Sequence, residues 1–223
     1  MKKVFASVLA IGMILSMTGC AKGGKYSKTS KKLIKAAEST MDAEEGSKKV
    51  RKAFQKDTVK PTDEMFNDGF YCTYSGDETE DFTMDDCMDE GDAKNLTVIC
   101  KSEDRSCVYS YIVELQDKDI AEDVYDNLLE NLSSNFPSEK EMKKKSKEAN
   151  FEYALNDESE TEYAFIMVNE DNGQAVSYYL NIDGSVITFV ACACYTDADL
   201  YEEYYDFTKE AGLADFEEML EDA

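Results

Sequence analysis

Apolar residues along the second half of this 223-residue chain recur at two spacings, and each spacing predicts a different element. Strand-like runs, Tyr178 to Ile182 and Val186 to Tyr195, flank Asp183-Gly184, a dipeptide suited to a two-residue hairpin turn. Helical spacing follows: Leu200, Tyr204 and Phe207 would share one face of a helix over 199–212. Upstream, Leu96–Ser102 and Ser106–Leu115 flank Glu103-Asp104 in the same way. Ile120, Val124, Leu128 and Leu132 then mark a helix over 119–134. Asp119 with Glu122, and Asp199 with Glu202, fit a capping box in its Asp form.

These two blocks align at an offset of 80 residues without a gap. Asp77–Glu80 lies over Asp157–Glu160, Asp117–Asp123 over Asp197–Glu203, and Tyr125-Asp126 over Tyr205-Asp206. The matches are mostly acidic in an acid-rich chain, so the shared patterning carries more weight. Each copy then reads as four strands and a helix. The first has Phe70–Ser75, a weak run at Phe82–Met84, Leu96–Lys101 and Val108–Leu115. The second has Phe151–Leu155, Tyr163–Asn169, Val176–Ile182 and Val186–Tyr195, with Asn172-Gly173 as a further turn. Ser30 to Phe54 predicts two helices with a break at Gly46-Ser47, and Ser138 to Lys147 a short basic helix after Pro137. The expected architecture is therefore α+β, a tandem duplication of a four-stranded antiparallel sheet plus helix, with the sheet on one side and helices on the other. In element order alone it resembles pseudo-symmetric TATA-binding-protein-like domains, a resemblance that implies no function.

The first twenty residues have another character. Lys2 and Lys3 precede an apolar run, Val4 to Met17, which is shorter than the roughly 20 residues needed to span a bilayer. The run ends at Met17-Thr18-Gly19-Cys20, which resembles a bacterial lipobox with Met17 in place of the usual Leu. The resemblance implies cleavage before Cys20, a diacylglycerol on its sulfur, and a protein held at the extracytoplasmic face of a cell membrane. Lysine-rich, acidic, tryptophan-free composition resembles that of a Gram-positive lipoprotein; in a cell with an outer membrane, that membrane is the alternative. The expected divisions are a signal peptide at 1–19, a lipidated tether at 20–30, a basic helical segment at 31–60, and repeats at 61–137 and 138–223.

Charge sharpens this picture. The net charge is −24, yet residues 21–60 hold 12 Lys/Arg against 5 Asp/Glu, while 61–223 hold 10 against 43. A basic neck thus joins an acidic body. The body would repel a nucleic acid at every phosphate, so no such partner is expected. Lysines near a lipid anchor add a second attraction to a membrane, or simply keep a tether solvated.

The chain contains no histidine, which removes the commonest general base and metal ligand at neutral pH. No catalytic set and no cofactor motif emerges. Asp85, Asp86, Asp89, Glu90 and Asp92 are dense enough to suggest a calcium site, but they lack EF-hand spacing and read more simply as a solvated turn. Asp117/Asp119 and Asp197/Asp199 read as helix caps rather than DxD metal sites. Six cysteines follow Cys20. Cys100 and Cys107 would oppose each other across the Glu103-Asp104 turn, as a disulfide pair or a core contact, and Cys192 and Cys194 share a strand face. Tyrosines crowd the predicted strands, and Tyr178 and Tyr179 must point to opposite sides of theirs. The expectation is a non-enzymatic envelope protein that binds a protein partner through an aromatic sheet face. Divalent-cation binding is the alternative, and thiol–disulfide chemistry at Cys192/Cys194 a third.

Overall fold

Val186–Tyr195 is apolar at nearly every position, and only Ala193 is exposed within it. A strand covered on both faces needs no polar alternation, so this run belongs in the middle of a sheet. The computed structural model, which describes residues 24–54, 68–84, 87–103, 105–135, 142 and 150–223, places it there. The elements in chain order are α1 (Lys25–Thr40), β1 (Glu44–Glu45), α2 (Lys48–Phe54), β2 (Phe70–Ser75), β3 (Ala93–Glu103), β4 (Ser106–Leu115), α3 (Lys118–Asn135), β5 (Phe151–Ser159), β6 (Glu162–Asn169), β7 (Gln174–Asp183), β8 (Val186–Tyr195), α4 (Asp199–Glu210) and α5 (Phe216–Glu221). One eight-stranded sheet runs β1-β2-β3-β4-β8-β7-β6-β5. Every neighbouring pair is antiparallel except the two-residue β1, which lies parallel to β2. The chain is α+β.

Side-chain parity assigns a separate core to each face. Ile99, Val108, Ile112, Ile166, Tyr179, Val190, Cys192 and Cys194 face α1, α4 and α5. Cys72, Leu96, Val98, Val113, Phe165, Leu180, Ile187 and Phe189 face α3. Helices therefore cover both sides of the sheet, which corrects the expected two-layer arrangement. Burying a continuous strand such as β8 demands cover above and below.

Helix α1 begins at Lys25, inside the segment expected to be tether. Its Tyr26 and Ser30 are buried, and both hydroxyls meet Thr97 Oγ1 of β3, at 2.8 and 2.7 Å. Ala36 and Ala37 then let the helix lie close to the sheet. The expected break near Gly46-Ser47 is present, with β1 between the two helices. Gly46 is required there: a Cβ would sit 2.4 Å from Cys72 Sγ.

Phe82–Met84 is not a strand. Three residues among aspartates are too few to hold a ladder; Met84 takes φ 49°, and β2 pairs directly with β3. Both β-turns also fall one residue later than expected. Glu103 pairs with Ser106, and Asp183 with Val186; positive φ falls on Gly184 (φ 69°) at the first central position of the β7–β8 turn and on Arg105 (φ 73°) at the second central position of the β3–β4 turn. The Asn172-Gly173 turn is a longer loop between paired Asn169 and Gln174. Of the basic segment 138–147 only Met142 is described, buried against the α3 face.

The sheet does not establish the expected 80-residue duplication. Ser110 lies opposite Val190, its counterpart, at the middle of the β4–β8 pair. Further out, Cys72 faces Val98 as Phe165 faces Tyr178, a step of 93 residues between Cys72 and Phe165. Helices α3 and α4, expected to be equivalent, lie on opposite faces.

Candidate functional site

On the α3 face, β8 places the small Ala191 between Tyr109 of β4 and Tyr178 of β7, its direct cross-strand partners. Phe189, two residues earlier on the same face, is flanked by Tyr111 and Leu180. Large rings therefore converge over a small residue, as pleat geometry allows for neighbouring pairs. Centroid separations are 5.9 Å for Tyr109–Phe189, 6.2 Å for Tyr178–Phe189 and 5.8 Å for Tyr109–Tyr111. Phe82 extends the band, 5.4 Å from Tyr111. These are the separations of favourable edge and offset ring contacts. Helix α3 packs on this face against β7, β8 and β4; Phe189 is buried, whereas Tyr109, Tyr111 and Tyr178 are half-buried. Burial raises the Tyr178 phenol above its ordinary value, and nearby Cys107 adds to the rise, so it stays a neutral donor.

Tyr178 and Tyr179 do point to opposite sides, and Tyr179 is the core member, bonded to Glu162 Oε2 at 3.0 Å. Phe82 and Phe189 were not singled out from the sequence. Phe189 could have been found from period two along β8; Phe82 lies in a loop, where periodicity gives no signal.

Cys100 and Cys107 are not opposite each other. The shifted turn sets Cys100 against Tyr109 and Cys107 against Ser102. All six described cysteines are buried and carry free thiols. Cys192 and Cys194 share the α4 side of β8, with their Sγ atoms 2.9 Å apart under Tyr201, Tyr204 and Tyr205. Burial holds the thiols of Cys100, Cys107 and Cys192 above their ordinary values; for Cys192 the adjacent Cys194 adds to the effect. A protonated, buried thiol is a poor nucleophile and a poor soft-metal ligand. The arrangement favours packing over exchange.

Of the acidic candidates, Asp89 and Glu90 are exposed and Asp92 is half-buried. The Asp92 carboxylate accepts from Asp89 N–H at 3.2 Å, closing a local turn. Asp85, Asp86 and Cys20 lie outside the described residues. No group of three or more His, Cys, Asp or Glu able to hold a metal ion occurs among the described residues. Asp117 does cap α3, accepting from Ile120 N–H at 3.0 Å. That role falls to Asp117 rather than Asp119, and α4 begins after Ala198 with no side-chain cap.

No helix among the described residues is long and apolar enough to cross a membrane. No family model matches the chain, and no curated protein matches it. Among solved structures, the extracellular domain of PknH from Mycobacterium tuberculosis aligns at 12% identity with a TM-score of 0.28. That alignment covers 53% of this chain and 63% of that domain, less than two-thirds of its length, and so defines neither fold nor function for this chain.

Proposed function

We propose that the chain is a lipid-anchored extracytoplasmic protein of the cell envelope that acts by binding a protein partner rather than by catalysis. The observation that carries this reading is the half-buried aromatic band of Tyr109, Tyr111 and Tyr178 around Phe189. Tyrosine rings present a large rigid contact area with a polar tip, which is what protein interfaces use. The lipobox-like Met17–Cys20 supplies the address, and a body with 43 acidic against 10 basic residues favours a cationic partner surface. In this reading the 80-residue repeat survives as ancestry for β3–β4 and β7–β8 alone. Cross-linking on intact producing cells, followed by purification and mass spectrometry, tests the reading. One reproducible envelope protein is expected, reduced at least tenfold by Tyr109→Ser with Tyr178→Ser. Recovery of the protein alone, or capture indifferent to those changes, removes the binding assignment. Intact mass of the mature chain reports separately on diacylglycerol at Cys20.

A further inference from the structure

The sheet covers one side of α1, and the opposite side carries lysine. Lys25, Lys28, Lys31, Lys32 and Lys35 are all exposed. At about 100° per residue they occupy an arc of about 120°, turned away from buried Tyr26, Ser30, Leu33, Ala36 and Ala37. Lys25 pairs with Asp183 at the β7–β8 turn. Lys28, Lys31, Lys32 and Lys35 form no ion pair among the described residues. Lys25 is the fifth residue after Cys20. A helix this basic in a chain of net charge −24 concentrates positive charge where the chain leaves its anchor.

We propose that the lysine face of α1 seats the protein on an anionic lipid surface, an inference that rests on the lipid-anchor reading. The lysine ends on this ridge reach headgroups directly. Acidic groups farther away than the Debye length, about 8 Å at physiological ionic strength, are largely screened. Each lysine near an anionic leaflet strengthens attachment by about fivefold. Beside α1, helix α4 exposes Glu202, Asp206 and Glu210, so the seat is confined to the α1 ridge and the molecule meets the surface along that helix. Because Tyr26 and Ser30 bind Thr97, seating α1 orients the whole sheet and keeps the aromatic band, on the opposite face, clear of the bilayer.

The test uses the full mature chain on vesicles of phosphatidylcholine with and without phosphatidylglycerol. Lysine acetylation rates are read residue by residue by mass spectrometry. Lys28, Lys31 and Lys35 are expected to react at least fivefold more slowly on the anionic vesicles, and high salt should abolish the difference. Lys94 and Lys118 on the body serve as internal controls that do not change. K28E/K31E/K35E should lose the effect, whereas K94E/K118E/K209E, with the same charge change elsewhere, should keep it. Equal rates on the two vesicles, with diacylglycerol present on Cys20, overturn the lysine seat and leave the anchor standing. Slowing without lipid on Cys20 overturns the anchor and leaves the seat. Equal slowing by soluble polyglycerol phosphate without vesicles overturns the choice of a lipid surface.

Discussion

On the α1 face of the sheet many of the inward side chains are small or β-branched: Ala154, Ala164, Val190, Cys192 and Cys194. On the α3 face many are large: Tyr163, Phe165, Leu180 and Phe189, with half-buried Tyr109 and Tyr178 beside them. The strands are the same, and only the parity differs. Small residues let three helices settle closely, and Tyr204, Phe207 and Phe216 from those helices fill the space. Large residues bring their own volume, and α3, with the short α2 beside it, covers the face incompletely. The first face is a finished core, and the second combines a core with a contact surface.

The largest expected effect lies on the finished face. Tyr204 is fully buried, stacks on Phe216 with centroids 5.7 Å apart, and accepts from Ser177 at 2.8 Å. Tyr204→Ala should cost about 3–5 kcal/mol in urea unfolding, as large core truncations do. Tyr178→Ala, from the half-buried band, should cost about 1–2 kcal/mol while affecting partner capture most. Equal losses would erase the distinction between the faces.

Next comes alkaline pH. Burial raises the folded-state values of the Cys100 and Cys192 thiols, so the unfolded chain releases those protons first. Their contribution is fully present below the unfolded value of about 8.5 and is lost as pH rises above it. One pH unit higher, the two together should cost about 2–3 kcal/mol, read as a falling urea midpoint under reducing conditions. The same thiols should resist iodoacetamide at neutral pH until the protein unfolds. Rapid labelling of native Cys192 at pH 7 would break the assignment of the α4 side as closed.

Gly69→Ala probes the junction where α1 joins the sheet. A Cβ there would lie 2.6 Å from the Met41 carbonyl oxygen, a backbone atom with little room to yield. The substitution should cost about 1–3 kcal/mol by thermal melting. A cap comparison is smaller: Asp117→Ala should lower stability by about 1 kcal/mol, whereas Asp199→Ala, which removes no capping bond, should change it by less than half as much. Smallest is Ser110, whose buried hydroxyl finds no partner among the described residues at the centre of the α1 face. Ser110→Ala should stabilise by about 0.5–1 kcal/mol, since it removes a desolvated polar group; a loss instead would reveal an ordered water.

The long strands were legible because they depend on local pattern, whereas the short β1 and the false run at Phe82–Met84 were not. Phe70–Ser75 and Val186–Tyr195 have the expected limits, and Leu200, Tyr204 and Phe207 bury together as their spacing implies. Register was less legible: a turn one residue later moved Cys100 from Cys107 to Tyr109. The aromatic band was half legible. Tyrosine density on the strands was plain, but its assembly required Ala191 to lie between Tyr109 and Tyr178, on strands 69 residues apart in sequence.

What the sequence determined by itself is what short-range chemistry decides: the α+β class, the turn at Gly184, the amphipathic helices and the separation of a basic neck from an acidic body. Tertiary structure alone decided which face each helix covers. Helices α3 and α4 carry similar stripes after similar hairpins, yet they close opposite sides of the sheet. An amphipathic stripe states that a helix must bury one side; it does not say against which side of a two-faced sheet. That choice is made by long-range packing: α1, α4 and α5 share one face, and α3 closes the other with Val50 of α2 beside it.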